Sequence, residues 1–171
     1  MTMRRIALLS LGLLLSGGLT AYALNRHGGT DTLPQEALPT VYGQLPESVR
    51  MALVNDRRIQ ASQVNRVLGE VNTAQMLGFM YGGWRKGFED LDLSPEVDGY
   101  HFRMEQRAPG VVTWAEPTVL HYRSFVAAVA ADGDRLREIR CQSERAELRP
   151  LAAPSLREGQ LVCPPGSHRL S

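Results

Sequence analysis

The chain has 171 residues, of which 43% are hydrophobic and 22% charged, and its 19 lysines and arginines nearly balance 18 aspartates and glutamates. This length is sufficient for one modest domain with a hydrophobic core. The even balance excludes a strong long-range field of the kind that attracts nucleic acid or anionic lipid. We therefore expect no nucleic-acid partner.

The first 23 residues have the organisation of a secretory signal peptide. Arg4 and Arg5 precede an apolar run over residues 6–15, and a stretch of small residues ends in an A-x-A site at Ala23. A basic start, a short apolar core and such a site are typical of export signals, so we predict cleavage after Ala23. The alternative is a retained membrane anchor, which needs about 20 predominantly apolar residues. In both cases the rest of the chain is exported.

Composition divides the remainder into two parts. Residues 24–46 are rich in Pro and Gly and show little hydrophobic periodicity, which is typical of a flexible arm. From Glu47 onward the sequence becomes periodic. The predicted organisation is a signal peptide over residues 1–23, an arm over 24–46 and a folded domain over 47–171.

Apolar spacings of three and four predict an amphipathic helix between Glu47 and the glycine pair Gly82-Gly83. The apolar positions are Val49, Leu53, Val64, Val67, Leu68, Val71, Ala74 and Leu77. The polar segment NDRRIQAS is either a turn of this helix or a break, after which Ser62 could cap a new start. The glycine pair is expected to end the helix.

The hydrophobic period changes to two from Gly99 onward, which predicts β-strands. The expected strands cover residues 99–107, 111–117, 118–132 and 135–142, with Asp132-Gly133 as a hairpin turn. Four strands joined by short turns form an antiparallel meander. The helix is expected to cover one face of it, which gives an α+β domain of two layers.

The two cysteines, Cys141 and Cys163, lie on either side of a stretch rich in Pro, Ala and Arg. In an oxidising compartment two cysteines of one domain normally pair, so we expect a disulfide. A metal site would require three or four ligands at short spacings. A redox pair would usually have the C-x-x-C spacing.

Other side chains offer weaker candidates for chemistry. His101 and His121, together with Glu105, could bind a metal, but both histidines alternate with core-facing residues and are expected on a solvated face. The serines lack a G-x-S-x-G motif, and the acidic cluster of Glu89, Asp90 and Asp92 lacks the pattern of a calcium loop. We predict no catalytic residue, metal or cofactor and no enzymatic activity. A small periplasmic enzyme is an alternative.

An aromatic cluster of Phe79, Tyr81, Trp84 and Phe88 follows the helix and is expected to fill the seam between helix and sheet. The alternative is a surface for a protein partner. Trp84, Tyr81 and Arg85 are its candidate residues, with Trp114 on the second strand, because Trp, Tyr and Arg dominate interface hot spots.

Several stretches resemble a known family. EVNTAQMLGFMYGGWRKGFEDLDL contains an N-x-A-Q segment before an aromatic turn, DGYHFRM and YRSFVAAVA are predicted strands, and IRCQSE and LVCPPGS contain the cysteines. These stretches, between residues 60 and 167, resemble the globular part of type IV pilins, and more closely the pilin-like G and H proteins of cyanobacteria. The resemblance implies a pilin-like α+β fold with a C-terminal disulfide loop.

The start of the chain differs from that of pilins that enter a filament. Such pilins have a short basic leader ending in Gly and a Glu at the fifth mature position, whereas this chain has no Asp or Glu before Asp31. We therefore expect a periplasmic or extracellular pilin-like protein that contacts pilus or secretion components or acts in adhesion. It would contact the membrane only if its N-terminal segment is retained. The alternative is a membrane-anchored minor pilin or pseudopilin.

Overall fold

The structure is a computed structural model that describes residues 45–171. The predicted signal peptide with its site at Ala23, and all but the last two residues of the arm, lie outside the described residues. The elements are α1 Glu47–Met80, a 3-10 turn Glu89–Leu91, β1 Tyr100–Arg107, β2 Gly110–Pro117, β3 Arg123–Asp132, β4 Arg135–Ala146, β5 Ser155–Arg157, β6 Gln160–Val162 and β7 Ser167–Arg169.

Helix α1 runs without interruption over 34 residues, so NDRRIQAS is a turn of the helix and Ser62 does not cap a new one. Its buried residues all lie in the C-terminal half and are Val64, Val67, Leu68, Val71, Asn72 and Gln75. The helix ends at Met80, just before the predicted glycine pair. Gly83 has a φ of +111°, a value that favours glycine. No helix among residues 45–171 combines the length and the apolar character needed to cross a membrane.

Strands β1 to β4 form the predicted antiparallel meander, in which each strand pairs with the next one in the chain. The predicted third strand began too early, because residues 118–122 form a turn and β3 starts at Arg123. Strand β7 adds a fifth strand by pairing with residues 141–143 of β4, and β5 and β6 form a separate hairpin. The prediction lacked these three strands because segments of three residues are too short to show an alternating pattern.

The helix packs against one face of the sheet. Its Val64, Val67 and Leu68 contact a set of sheet and loop residues made up of Val97, Phe102, Ala115, Phe125 and Ala127. Because side chains alternate along a strand, the residues between these positions point to the other face.

The other face of the sheet is also covered, so the expectation of two layers is wrong. Its core consists of Val112, Trp114, Val126, Ala128, Ile139 and Cys141 together with Leu151, and Ala153, Leu161 and Cys163 pack against it. The C-terminal segment therefore forms a third layer. Burial on both faces explains why β2 and β3 are apolar along most of their length rather than alternating.

Two predicted residues lie in this second core. The Cys141–Cys163 disulfide is confirmed, with a Cα–Cα distance of 5.8 Å, and it ties β4 to the C-terminal segment. Trp114 is only 2% exposed, and its indole Nε1 donates a hydrogen bond to the carbonyl of Leu151 at 2.8 Å. The prediction that Trp114 contacts a partner is therefore wrong, because the C-terminal segment covers the ring.

Candidate interaction surfaces

The loop after α1 is fixed to the helix by the side chain of Gln75. Its Oε1 accepts a hydrogen bond from the backbone N–H of Arg85 at 3.0 Å, and its Nε2 donates to the Arg85 carbonyl at 2.9 Å. The Arg85 side chain lies over Gly78, where a Cβ would come within 3.1 Å of the arginine Cγ. A small residue at position 78 therefore lets the loop pack closely on α1.

Exposed apolar side chains gather where the helix ends. Leu77, Met80 and Tyr81 are 47%, 63% and 82% exposed, and their spacing of three and four residues puts them on one side of the last turn. We call these three residues the helix-end patch. Phe79 and Trp84 are close to the patch in the sequence. Their half-exposed rings pack against each other, with their centroids 4.3 Å apart.

The predicted aromatic cluster divides between core and surface positions. Phe88 packs against the core on the helix side of the sheet, as a seam residue would. Tyr81 lies on the surface, whereas Trp84 and Arg85 are half-buried. Contact of Tyr81, Trp84 and Arg85 with a partner stays a prediction.

A second surface lies between the first half of α1 and the ends of the strands. It is a groove of about 610 Å³ whose lining includes Arg57 and Arg58 of α1, Arg123 of β3 and Arg145 of β4. Glu144 is the one Asp or Glu among the lining residues. We call this site the arginine groove.

Two tyrosines form part of the groove lining. The rings of Tyr100 and Tyr122 stack with their centroids 5.4 Å apart. The Tyr122 hydroxyl donates to Asp56 Oδ2 of α1, and the Tyr100 hydroxyl donates to the Arg123 carbonyl at 3.0 Å. Burial, followed by the Asp56 carboxylate, raises the pKa of Tyr122 to about 12. Burial and the neighbouring Tyr122 also raise the pKa of Tyr100, so both hydroxyls keep their protons at neutral pH.

The histidines lie in different surroundings. His101 is an exposed residue of β1 opposite Glu116, as the solvated-face prediction requires. His121 lies in the turn before β3 and is half-buried, with its Nε2 3.8 Å from Asp56 Oδ2, so the prediction is wrong for this residue. Burial and the nearby Arg57 charge lower the pKa of His121, which keeps its imidazole neutral at pH 7. In residues 45–171, no three His, Cys, Asp or Glu side chains are grouped so that they could hold a metal ion.

The two surfaces differ in how far local sequence patterns indicate them. Gln75 lies four residues after Val71 and seven after Leu68, so the helical period could have identified it as a buried polar residue. The arginine groove had no comparable local signal, because its cationic residues come from three separate segments of the chain.

Comparison with protein-family models, with curated proteins and with solved structures gives no match for this chain.

Proposed function

We propose that this protein is an exported, non-enzymatic pilin-like protein that acts through protein–protein contacts, in pilus or secretion assembly or in adhesion at the cell surface. The observation that carries the proposal is the helix-end patch. Its exposed apolar and aromatic side chains, with Tyr81 at 82%, are of the kind that mark contact surfaces.

The fixed backbone around the patch supports this role. Gln75 binds both backbone groups of Arg85, and the Phe79 and Trp84 rings pair across the turn. A surface that is ordered before binding loses less conformational entropy when a partner docks. The patch is therefore suited to serve as an anchor.

The order of parts supports the pilin-like assignment. A long helix packs its C-terminal half against an antiparallel meander, and a disulfide joins the last meander strand to the tail. The first half of α1 carries exposed apolar residues such as Met51 and Ile59, at 52% and 55%. The helix, the meander and the disulfide-closed tail are the parts that the resemblance to pilins and to the G and H proteins implies.

Site-specific photo-crosslinking in the source cells tests the proposal. A photoreactive phenylalanine analogue in place of Tyr81 should give a discrete crosslinked product with another protein. The matched control is the same analogue in place of Leu148, which is 45% exposed and lies outside the patch. Adding Met80→Asp to the Tyr81 variant should abolish the product, because a buried charge at the contact is costly.

The proposal fails if position 81 gives no product above that of position 148 while the protein is folded and abundant. It also fails if the Met80→Asp change leaves the product unaltered.

A further inference from the structure

We propose that the arginine groove binds an extended acidic peptide segment of a partner protein. This site is separate from the helix-end patch and goes beyond the function proposed above.

The charge of the groove is the first argument. Arg58, Arg123 and Arg145 take part in none of the ion pairs among residues 45–171. The chain as a whole carries a net charge of only +1, whereas four arginines and a single glutamate line the groove, so positive charge is concentrated there. Guanidinium groups match carboxylates geometrically and bind them with two parallel hydrogen bonds.

The shape and lining of the groove are the second argument. Its volume of about 610 Å³ lies within the range of roughly 300–1,000 Å³ that is typical of ligand sites. Besides the arginines, the lining combines the apolar side chains of Val54, Ala61 and Ala146 with the two stacked tyrosines and with the polar residues His121, Gln142 and Glu144. Such a lining suits a chain that alternates carboxylates with small apolar side chains.

The placement of the arginines favours a peptide over other anions. They come from α1 and from the paired strands β3 and β4, so both the helix wall and the sheet wall of the groove carry arginines. A small anion has charge for only one or two guanidinium groups. A membrane surface is broad and flat and would not enter a groove between a helix and the strand ends. An extended segment with several carboxylates can contact all the walls.

Fluorescence anisotropy with a labelled eight-residue peptide of alternating Glu and Ala provides the test. The purified protein should bind this peptide, bind it more weakly as salt is raised, and fail to bind the same peptide with Gln in place of Glu. The double variant Arg58→Gln, Arg145→Gln should bind at least about tenfold more weakly, because each change removes a charge-assisted contact.

A double variant Arg135→Gln, Arg157→Gln is the matched control, since both arginines are exposed, lie outside the groove lining and change the net charge equally.

The variant Val54→Trp tests the shape of the groove independently of its charge. Val54 lines the groove and is 41% exposed, so the larger ring should block the peptide without altering the core. Circular dichroism and thermal melting should show that all three variants are folded.

Three results would overturn the inference. One is equal binding of the Glu and Gln peptides. A second is a loss of peptide affinity in the control double variant that equals the loss in Arg58→Gln, Arg145→Gln, because binding would then depend on net charge and not on the groove. A third is absence of peptide binding combined with groove-dependent binding of phosphatidylglycerol vesicles, which would make the ligand an anionic lipid.

Discussion

Gln75 shows how a single side chain organises the surface next to it. Its amide lies in the interior at 1% exposure, and both its oxygen and its nitrogen bind backbone groups of Arg85. A buried amide requires such partners, because unpaired polar groups in the interior cost free energy. The residue therefore stabilises the loop from which Trp84 projects.

Replacing Gln75 with Leu should lower the free energy of unfolding by about 1–3 kcal/mol, because the N–H and carbonyl groups of Arg85 lose their partner. Urea denaturation followed by circular dichroism measures the change. Gln63→Leu, an exposed position on the same helix, is the control and should change stability by less than about 0.5 kcal/mol. Equal stability of the two variants would contradict the role of Gln75.

The hydrogen bond between Tyr122 and Asp56 predicts a dependence of stability on alkaline pH. The pKa of Tyr122 is raised from 10.0 to about 12 in the folded protein, so the folded state holds the phenolic proton more tightly than the unfolded state. The resulting stabilisation is fully present below pH 10 and is lost as the pH rises through about 12.

Ultraviolet absorbance of tyrosinate, compared between the protein and its Tyr122→Phe variant, measures this pKa directly. Asp56→Asn should move the pKa of Tyr122 towards its ordinary value while leaving the part caused by burial. Titration of Tyr122 near 10 in the unaltered protein would contradict the structure at this contact.

At the scale of elements, the C-terminal segment behaves as a layer of the fold. It covers Trp114 with Leu151, adds β7 to the sheet and is tied to β4 through Cys141. Segments of this composition are usually read as loops. Here the segment fills the face of the sheet that α1 does not reach.

Reduction of the disulfide, or Cys163→Ala, should lower the free energy of unfolding by roughly 3 kcal/mol, because the 22-residue separation sets the entropy of the closed loop. Thermal or urea denaturation gives the change, and tryptophan fluorescence in a Trp84→Phe background should report solvent entry at the Trp114 indole. The reductant should have no effect on a variant with both cysteines changed to alanine. Two free thiols that react with a thiol reagent in the oxidised protein would contradict this prediction.

At the scale of the whole molecule, the sequence predicted the elements that carry a long local pattern. Helix α1 extends over nine turns, and β1 to β4 each have at least eight residues, so their periodicity is visible without tertiary information. The third layer had only an indirect signal in the mostly apolar runs of β2 and β3. Such runs are typical of strands that are buried on both faces, whereas a strand with one face in solvent would alternate apolar and polar residues.

The candidate surfaces could be predicted only where their residues are neighbours in the chain. Tyr81, Trp84 and Arg85 are candidates from the sequence because they lie within five residues at the end of a helix, and their contact with a partner stays a prediction. Arg58 and Arg145 are 87 residues apart, and only the sheet topology brings them to one groove. The sequence pattern contains no information on such a meeting.

The order of strands in the sheet also predicts an order of events during folding. Strands β1 to β4 pair with their neighbours in the chain, so the meander can assemble from successive hairpins with short loop closures. Strand β7 pairs with β4, and in the folded protein Cys163 lies beside Cys141 because the tail folds back over the sheet, so their native position depends on β4 being in place. Oxidation of the two sulfurs is therefore expected at the end of folding. The rate at which the free thiols disappear would then measure the rate of the last folding step.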